Sequence, residues 1–154
     1  MSNQLKAFNF VFAQFVLLFL LVAAPRDDQA YGNLDQALGW IGVAAFVTGL
    51  AIVGISFFGL GRTLTVSPVP KQDGKLITSG LYSKVRHPIY SGLLLLALGV
   101  VLDAGYWPQL VLAIFLFVVL NAKASFEEEL LRAKYPEYKQ YAIHTPRFIP
   151  RIGS

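Results

Sequence analysis

From Ala37 to Leu60 the chain carries no charged residue, and from Ala7 to Ala24 it carries none either. Each run is close to the roughly 20 apolar residues that cross a bilayer as a helix, which leaves few folds open. An amphipathic helix on a soluble core would show a charged stripe, and these runs show none. The composition agrees: 55% of the 154 residues are hydrophobic and 14% charged, with a mean hydropathy of +0.55. Such values lie outside the usual range of a soluble domain. The length allows one domain with a handful of spanning helices, enough to wall a pocket.

Two further apolar runs are crowded into Pro88 to Leu120, interrupted by Asp103-Ala104-Gly105, and Pro108 suits the first turn of a returning helix. A helical hairpin over 88–133 is predicted. Its arms are full length only if the third helix begins at Pro88 and the fourth runs past Leu120 through Asn121 to Ala133. A full crossing is favoured over a re-entrant dip. The expected fold is all-α, an integral membrane bundle of about four transmembrane helices. Two helices occupy 1–60, a cytoplasmic loop 61–87, the hairpin with its extension 88–133, and a C-terminal helical segment 134–154.

Charges divide by side under this topology. Lys6, then Arg62, Lys71, Lys75, Lys84 and Arg86, then Lys123 through Arg151 fall together, while Arg26 sits opposite with Asp27, Asp28, Asp35 and the hairpin tip Asp103. The positive-inside rule then places both termini and the central loop in the cytoplasm, at an inner or plasma membrane. Lys6, the apolar run and Val22-Ala23-Ala24 also match the parts of a signal peptide, but Pro25 after the candidate cleavage point favours a retained helix. A pI near 9.4 does not indicate nucleic acid, because the bases are not gathered on a soluble face with interleaved aromatics. The absence of Cys excludes disulfides, thiol nucleophiles and Cys-ligated metals. Gly42, Ala45, Gly49 and Gly54 permit close helix packing. Phe8, Phe10, Phe12, Phe15 and Phe19 read as lipid-facing or core bulk, and Trp40, Tyr106 and Trp107 as interfacial anchors.

Polar chemistry gathers at one edge. The loop before residue 86, punctuated by Pro68, Pro70, Gly74 and Gly80, leads into Arg86-His87-Pro88-Ile89-Tyr90-Ser91-Gly92. Pro88 suits the first helical position, making His87 the expected cap at a positive dipole end able to hold a carboxylate or phosphate. Arg86 adds a guanidinium suited to a paired contact, or else meets lipid headgroups. Further on, Glu127-Glu128-Glu129 spans about 200 degrees of a helix, so at least one carboxylate faces the bundle. Glu128 and Arg132 are spaced as a surface ion pair. Tyr135, Tyr138 and Tyr141 are spaced to share one face of a short helix over the cytoplasmic opening.

Together these residues resemble a known family. Gly80-Leu81-Tyr82, Arg86-His87-Pro88 with Tyr90 and Gly92, Glu127-Glu128 with Leu131, the three tyrosines, and Pro146-Arg147-Phe148-Ile149-Pro150 are similar to the signature of isoprenylcysteine carboxyl methyltransferases and related phospholipid methyltransferases. The match covers roughly the C-terminal half; the first two helices match in character only. The resemblance implies an integral membrane enzyme using S-adenosyl-L-methionine, releasing S-adenosyl-L-homocysteine, and methylating a lipophilic small molecule or lipidated substrate. It implies cofactor contacts from Tyr82, His87, Tyr90, Glu127 and Glu128, catalytic roles for Arg86, His87 and Glu128, and no metal. It also makes the C-terminal segment the cover of the cofactor. Pro136 departs from the family's usual Gly, and the chain lacks the extra N-terminal helices of the larger enzymes, which leaves the acceptor open between carboxylate and amine. A membrane reductase using NADPH, related to sterol reductases, and a non-catalytic membrane assembly protein remain as alternatives. On this reading His87→Ala and Glu128→Gln weaken cofactor binding in a protein that stays folded.

Overall fold

A computed structural model describes residues 2–26, 35–61, 74–105 and 107–151. These form α1 (Asn3–Ala23), α2 (Asp35–Leu60), a 3-10 turn (Gly80–Ser83), α3 (Pro88–Ala104), α4 (Trp107–Lys134) and α5 (Tyr138–His144), with no strand among the described residues. The all-α expectation holds. Asp27, Asp28, Arg62, Pro68, Pro70, Lys71 and Tyr106, and the side chain of Asp35, lie outside what is described.

Three helices, α1, α2 and α4, are long and apolar enough to cross a membrane, whereas α3 has 17 residues. At about 1.5 Å per residue α3 extends roughly 25 Å, slightly less than a hydrocarbon layer of about 30 Å. Local chemistry sets the boundaries. Ser2 caps α1, its Oγ accepting from the Leu5 N–H at 3.3 Å, so the helix begins ahead of Ala7. Gly105 ends α3 in the left-handed conformation (φ 61°), which glycine adopts without a Cβ clash, and its N–H closes on the Val101 carbonyl. Pro136 follows the end of α4 and cannot continue it. Tyr135 therefore falls in the turn before α5, and only Tyr138 and Tyr141 share that helix, unlike the three-tyrosine face expected.

The helices run alternately up and down. Gly42 and Gly49 of α2 face Gly99 and Gly92 of α3 so closely that a Cβ on Gly49 would meet the Gly92 carbonyl at 2.7 Å, and one on Gly42 the Gly99 carbonyl at 2.8 Å. Gly54 has no such neighbour, so the close contact uses only part of the small-residue series. On α1 the buried residues are Ala7, Gln14 and Leu21, recurring every second turn as one stripe toward the bundle. Its neighbour is α4: Phe10 packs on Phe126 at 5.9 Å, and at the far end Gln109 donates to the Ala24 and Pro25 carbonyls. Leu21, Tyr90, Ala97, Leu116, Leu120 and Ala124 form the core. Phe8, Phe12, Phe15 and Phe19 stay exposed, as suits a face solvated by lipid, where close packing rather than burial from water holds helices together.

This arrangement brings the start of α1, the end of α2, the start of α3 and the end of α4 to one end of the bundle. At the other end Arg26 pairs with Asp103 at 2.7 Å, joining the lone base of that side to the hairpin tip.

Candidate functional site

The site grows from the first turn of α3. Pro88 begins the helix and His87 holds the N-cap position, but the His87 side chain makes no capping bond. It turns instead toward α4, where Glu127 and Glu128 project inward and Glu129 outward to solvent. Two of the three consecutive carboxylates thus face the bundle.

Glu128 is the hub. Its Oε1 accepts from Arg86 Nε (3.1 Å) and Nη2 (3.0 Å), from Arg147 Nε (3.0 Å), and meets His87 Nε2 (3.2 Å); its Oε2 accepts from Arg147 Nη2 (3.0 Å) and Arg132 Nη2 (3.2 Å). Arg147 makes the paired fork that Arg suits, while Arg86 sets two donors on one oxygen. The remaining Arg86 nitrogen, Nη1, donates to the carbonyls of Ala142 (2.8 Å) and Thr145 (2.6 Å) at the end of α5. Those carbonyls lack helical partners, and a cation there meets the negative end of the dipole. Two backbone bonds and one from a side chain extend this clasp: Arg86 N–H to Pro146 O at 2.8 Å, His87 N–H to Arg147 O at 3.1 Å, and the Ser91 hydroxyl to Phe148 O at 2.6 Å. Residues 146–148 are thereby strapped across the start of α3.

A second layer lies beside the hub. Glu127 Oε2 accepts from the Tyr90 hydroxyl at 2.9 Å and faces His87 Nδ1 at 3.3 Å. The His87 and Tyr90 rings stack with centroids 5.2 Å apart, and Phe148 meets His87 edge-on at 6.1 Å. Lys123 lies 5.0 Å from the Tyr90 ring centre and donates to Gln14 Oε1 at 2.8 Å. Tyr82, on the 3-10 turn, sits alongside, its hydroxyl reaching the Ser56 carbonyl at 3.5 Å and its own carbonyl accepting from the Tyr141 hydroxyl. Burial pushes the Tyr141 phenol up to about 12 and raises Tyr82 and Tyr138 as well, so all three stay neutral, and Tyr82 and Tyr141 donate.

The proton inventory of His87 follows from its neighbours. A neutral imidazole has one N–H, yet both ring nitrogens face carboxylates, so only the imidazolium donates to each. Burial opposes that charge, but the hydrogen bonds and charges of Glu127 and Glu128 outweigh it, and the net shift is upward from 6.5. A folded-state value above the unfolded one contributes stability in full below the unfolded value and loses it as pH rises through the folded value. The thermal midpoint of detergent-solubilised protein is therefore expected to fall as pH climbs above 6.5. In His87→Gln this part of the slope disappears; an unchanged slope in that variant would contradict the assignment. Arg132 offers a contrast, since its side chain is 55% exposed. Arg132→Ala is expected to cost no more than about 1 kcal/mol, measured by denaturant titration.

Arg86, His87, Tyr90, Glu127 and Glu128 thus share one network, whereas Tyr82 makes its hydrogen bonds to Ser56 and Tyr141, outside it. Arg147, Asn121, Lys123 and Gln14 also belong to this region, although the sequence alone assigned none of them a role in a site. Arg147 Nη1 donates to Asn121 Oδ1 at 2.8 Å. Lys123 and Gln14 carried a readable signal, because polar side chains inside apolar runs are costly unless used. Access separates the two carboxylates: the Glu128 side chain is 1% exposed, Glu127 22% and Arg147 27%. Glu127 and Arg147 are partly open to an incoming molecule, whereas Glu128 is closed off. Among the described residues no three His, Asp or Glu side chains converge as a metal site.

Sequence comparison adds an independent line. The chain is 30% identical over 145 residues to the cobalt-zinc-cadmium resistance protein CzcN of Cupriavidus metallidurans, covering 93% of this chain and 62% of that protein. Against the nickel-cobalt-cadmium resistance protein NccN of Alcaligenes xylosoxydans xylosoxydans it is 28% identical over 117 residues, 74% of this chain and 54% of the relative. Against the protein-S-isoprenylcysteine O-methyltransferase of Schizosaccharomyces pombe it is 30% identical over 121 residues, 76% of this chain and 49% of the enzyme. The chain thus spans less than two thirds of the length of these relatives. The phospholipid methyltransferase family model matches residues 38–138, from α2 through the Arg86–Glu128 network to the start of α5, and the chain belongs to that family.

Proposed function

We propose that this protein is an integral membrane methyltransferase that moves a methyl group from S-adenosyl-L-methionine to a lipidic acceptor. The observation that carries the reading is the Glu127–His87–Tyr90 layer at one end of an apolar bundle, built within the family-matched segment. Its donor set fits the cofactor's polar groups. Glu127, the reachable carboxylate, suits the α-ammonium or ribose hydroxyls, Arg147 suits the α-carboxylate, and Phe148 offers aromatic surface for the adenine. When bound, the cofactor supplies a methyl group on a sulfonium, already a good leaving group. Passing that methyl to an acceptor oxygen or nitrogen would leave S-adenosyl-L-homocysteine as the product.

The protein's own work is then placement and exclusion of water. The Arg86 clasp and the strap at 146–148 fix the wall of the site, and the imidazolium of His87 orients the Glu127 carboxylate. A carboxylate acceptor needs no base; an ammonium acceptor must first lose its proton, and Glu127 is the reachable group able to take it. Lys6, Lys84, Arg86, Lys139 and Arg147 all lie at the site end, so the positive-inside rule orients that end and both flanking segments toward the cytoplasm. Incubation with radiolabelled S-adenosyl-L-methionine and total membrane lipid tests the reading. Label in the lipid or lipidated-protein fraction, lost on Glu127→Ala, is expected; no label in any acceptor fraction overturns it.

A further inference from the structure

We propose that Lys123 and Gln14 form the acceptor side of the site, a receptor for an anionic oxygen, phosphate or carboxylate, on the head of a lipid. The inference rests on reading the site as one that methylates a lipidic acceptor. Lys123 lies on α4 one turn before Glu127 and is 4% exposed. A buried ammonium ordinarily pairs with a carboxylate, because an uncompensated charge inside a bundle is costly. Among the described residues, no carboxylate stands in ion-pair contact with Lys123 Nζ. It has a neutral amide oxygen, Gln14 Oε1 at 2.8 Å, and the face of the Tyr90 ring.

Gln14 is itself a buried polar side chain in an apolar run, and it comes from α1, outside the segment matched by the family model. Two helices have therefore each brought a costly polar group to one point in the bundle. Charge adds a second, independent reason. Arg86, Arg132, Arg147 and Lys123 gather around only two inward carboxylates, Glu127 and Glu128, and Glu128 is already shared by all three arginines and His87. The cluster is short of anions, and Lys123 is the one of these four cations with no carboxylate at ion-pair distance, the charge of Glu127 reaching it from farther off.

An anionic oxygen that displaces Gln14 Oε1 makes a stronger, charge-assisted bond to Lys123, and the freed Gln14 amide has N–H donors for a second one. Tyr90 links this point to the reacting layer, since Lys123 lies against its ring and Glu127 accepts from its hydroxyl. A lipid head held by Lys123 thus sits one aromatic ring away from the His87–Glu127 pair, with its chain in the surrounding bilayer. Lys123 and Gln14 select an acceptor bearing an acidic group and discriminate against a purely cationic one.

Calorimetric titration of the full chain in neutral detergent, with and without S-adenosyl-L-homocysteine, tests this with dodecyl phosphate, dodecanoate and dodecyltrimethylammonium as probes. Wild type is expected to bind at least one anion saturably and the cation not at all. Lys123→Met should weaken anion binding about tenfold or more, the worth of a charged hydrogen bond, and S-adenosyl-L-homocysteine binding far less. Lys123→Arg should retain most of it. The double variant Gln14→Leu/Lys123→Met removes both polar partners together and so guards against a folding artefact; it should show the same loss. Saturation by dodecyl phosphate alone points to a phospholipid head, by dodecanoate alone to a carboxylated lipid. Anion binding undiminished in both variants, preference for the cation, or no anion binding by wild type overturns the proposal. Anion binding that depends on Lys123 in a protein that ignores S-adenosyl-L-homocysteine would leave this site standing and remove the methyltransferase reading instead.

Discussion

Glu128→Gln is expected to unfold the site end of the protein rather than merely to weaken a ligand. The amide keeps the shape of the carboxylate but withdraws the charge that Arg86, Arg147 and His87 converge on, and its NH2 group points a donor at other donors. Removing one partner of a buried ionic cluster costs about 3–5 kcal/mol, because the others are left uncompensated. Here the loss spreads further, since Arg86 also holds the end of α5 and Arg147 lies in the strap over α3. The expected result is a large drop in thermal midpoint together with rapid proteolysis after residue 134. A variant as stable as wild type would mean that Glu128 serves a ligand and not the fold.

The second large effect lies away from the site. Gly49→Ala is expected to force α2 and α3 apart, because the new Cβ would stand 2.7 Å from the Gly92 carbonyl and 2.8 Å from the Leu96 nitrogen, both backbone atoms that cannot swing aside. Overpacking of this kind costs about 1–3 kcal/mol and more where backbone must move. Since α3 also carries His87 at its start, ligand affinity should fall with stability. Gly54→Ala is the matched control, with nothing within 4 Å of the added methyl, and should be neutral or slightly stabilising through its better helix propensity. Equal midpoints for the two variants in detergent would contradict the packing.

What could be read from sequence divides along physical lines. Apolar runs, the break at Asp103-Ala104-Gly105 and Pro88 as a helix start are local signals, and each has its counterpart in α1–α4. Residues 37–60 showed small side chains but not which ones touch, because the partner glycines Gly92 and Gly99 belong to another helix. The site was legible as a set of residues and not as a division of labour. A guanidinium beside a helix N-terminus invites an anion, which is a local signal; that Arg86 also pairs with Glu128 of α4 depends on a contact between residues 42 apart. The cap position of His87 was readable from Pro88, whereas its turn toward two carboxylates depended on which of three adjacent Glu residues faced inward. Arg147, Lys123 and Gln14 gained their meaning only from contacts far apart in the chain.

The central claim is that the Glu127–His87–Tyr90 layer receives S-adenosyl-L-methionine. Calorimetric titration of the purified, detergent-solubilised protein with S-adenosyl-L-homocysteine, with NADPH in parallel, tests it most directly. Saturable binding of S-adenosyl-L-homocysteine alone, weakened by Glu127→Gln in a protein that remains folded, is the predicted result. Binding of NADPH alone, or of neither compound, would contradict it.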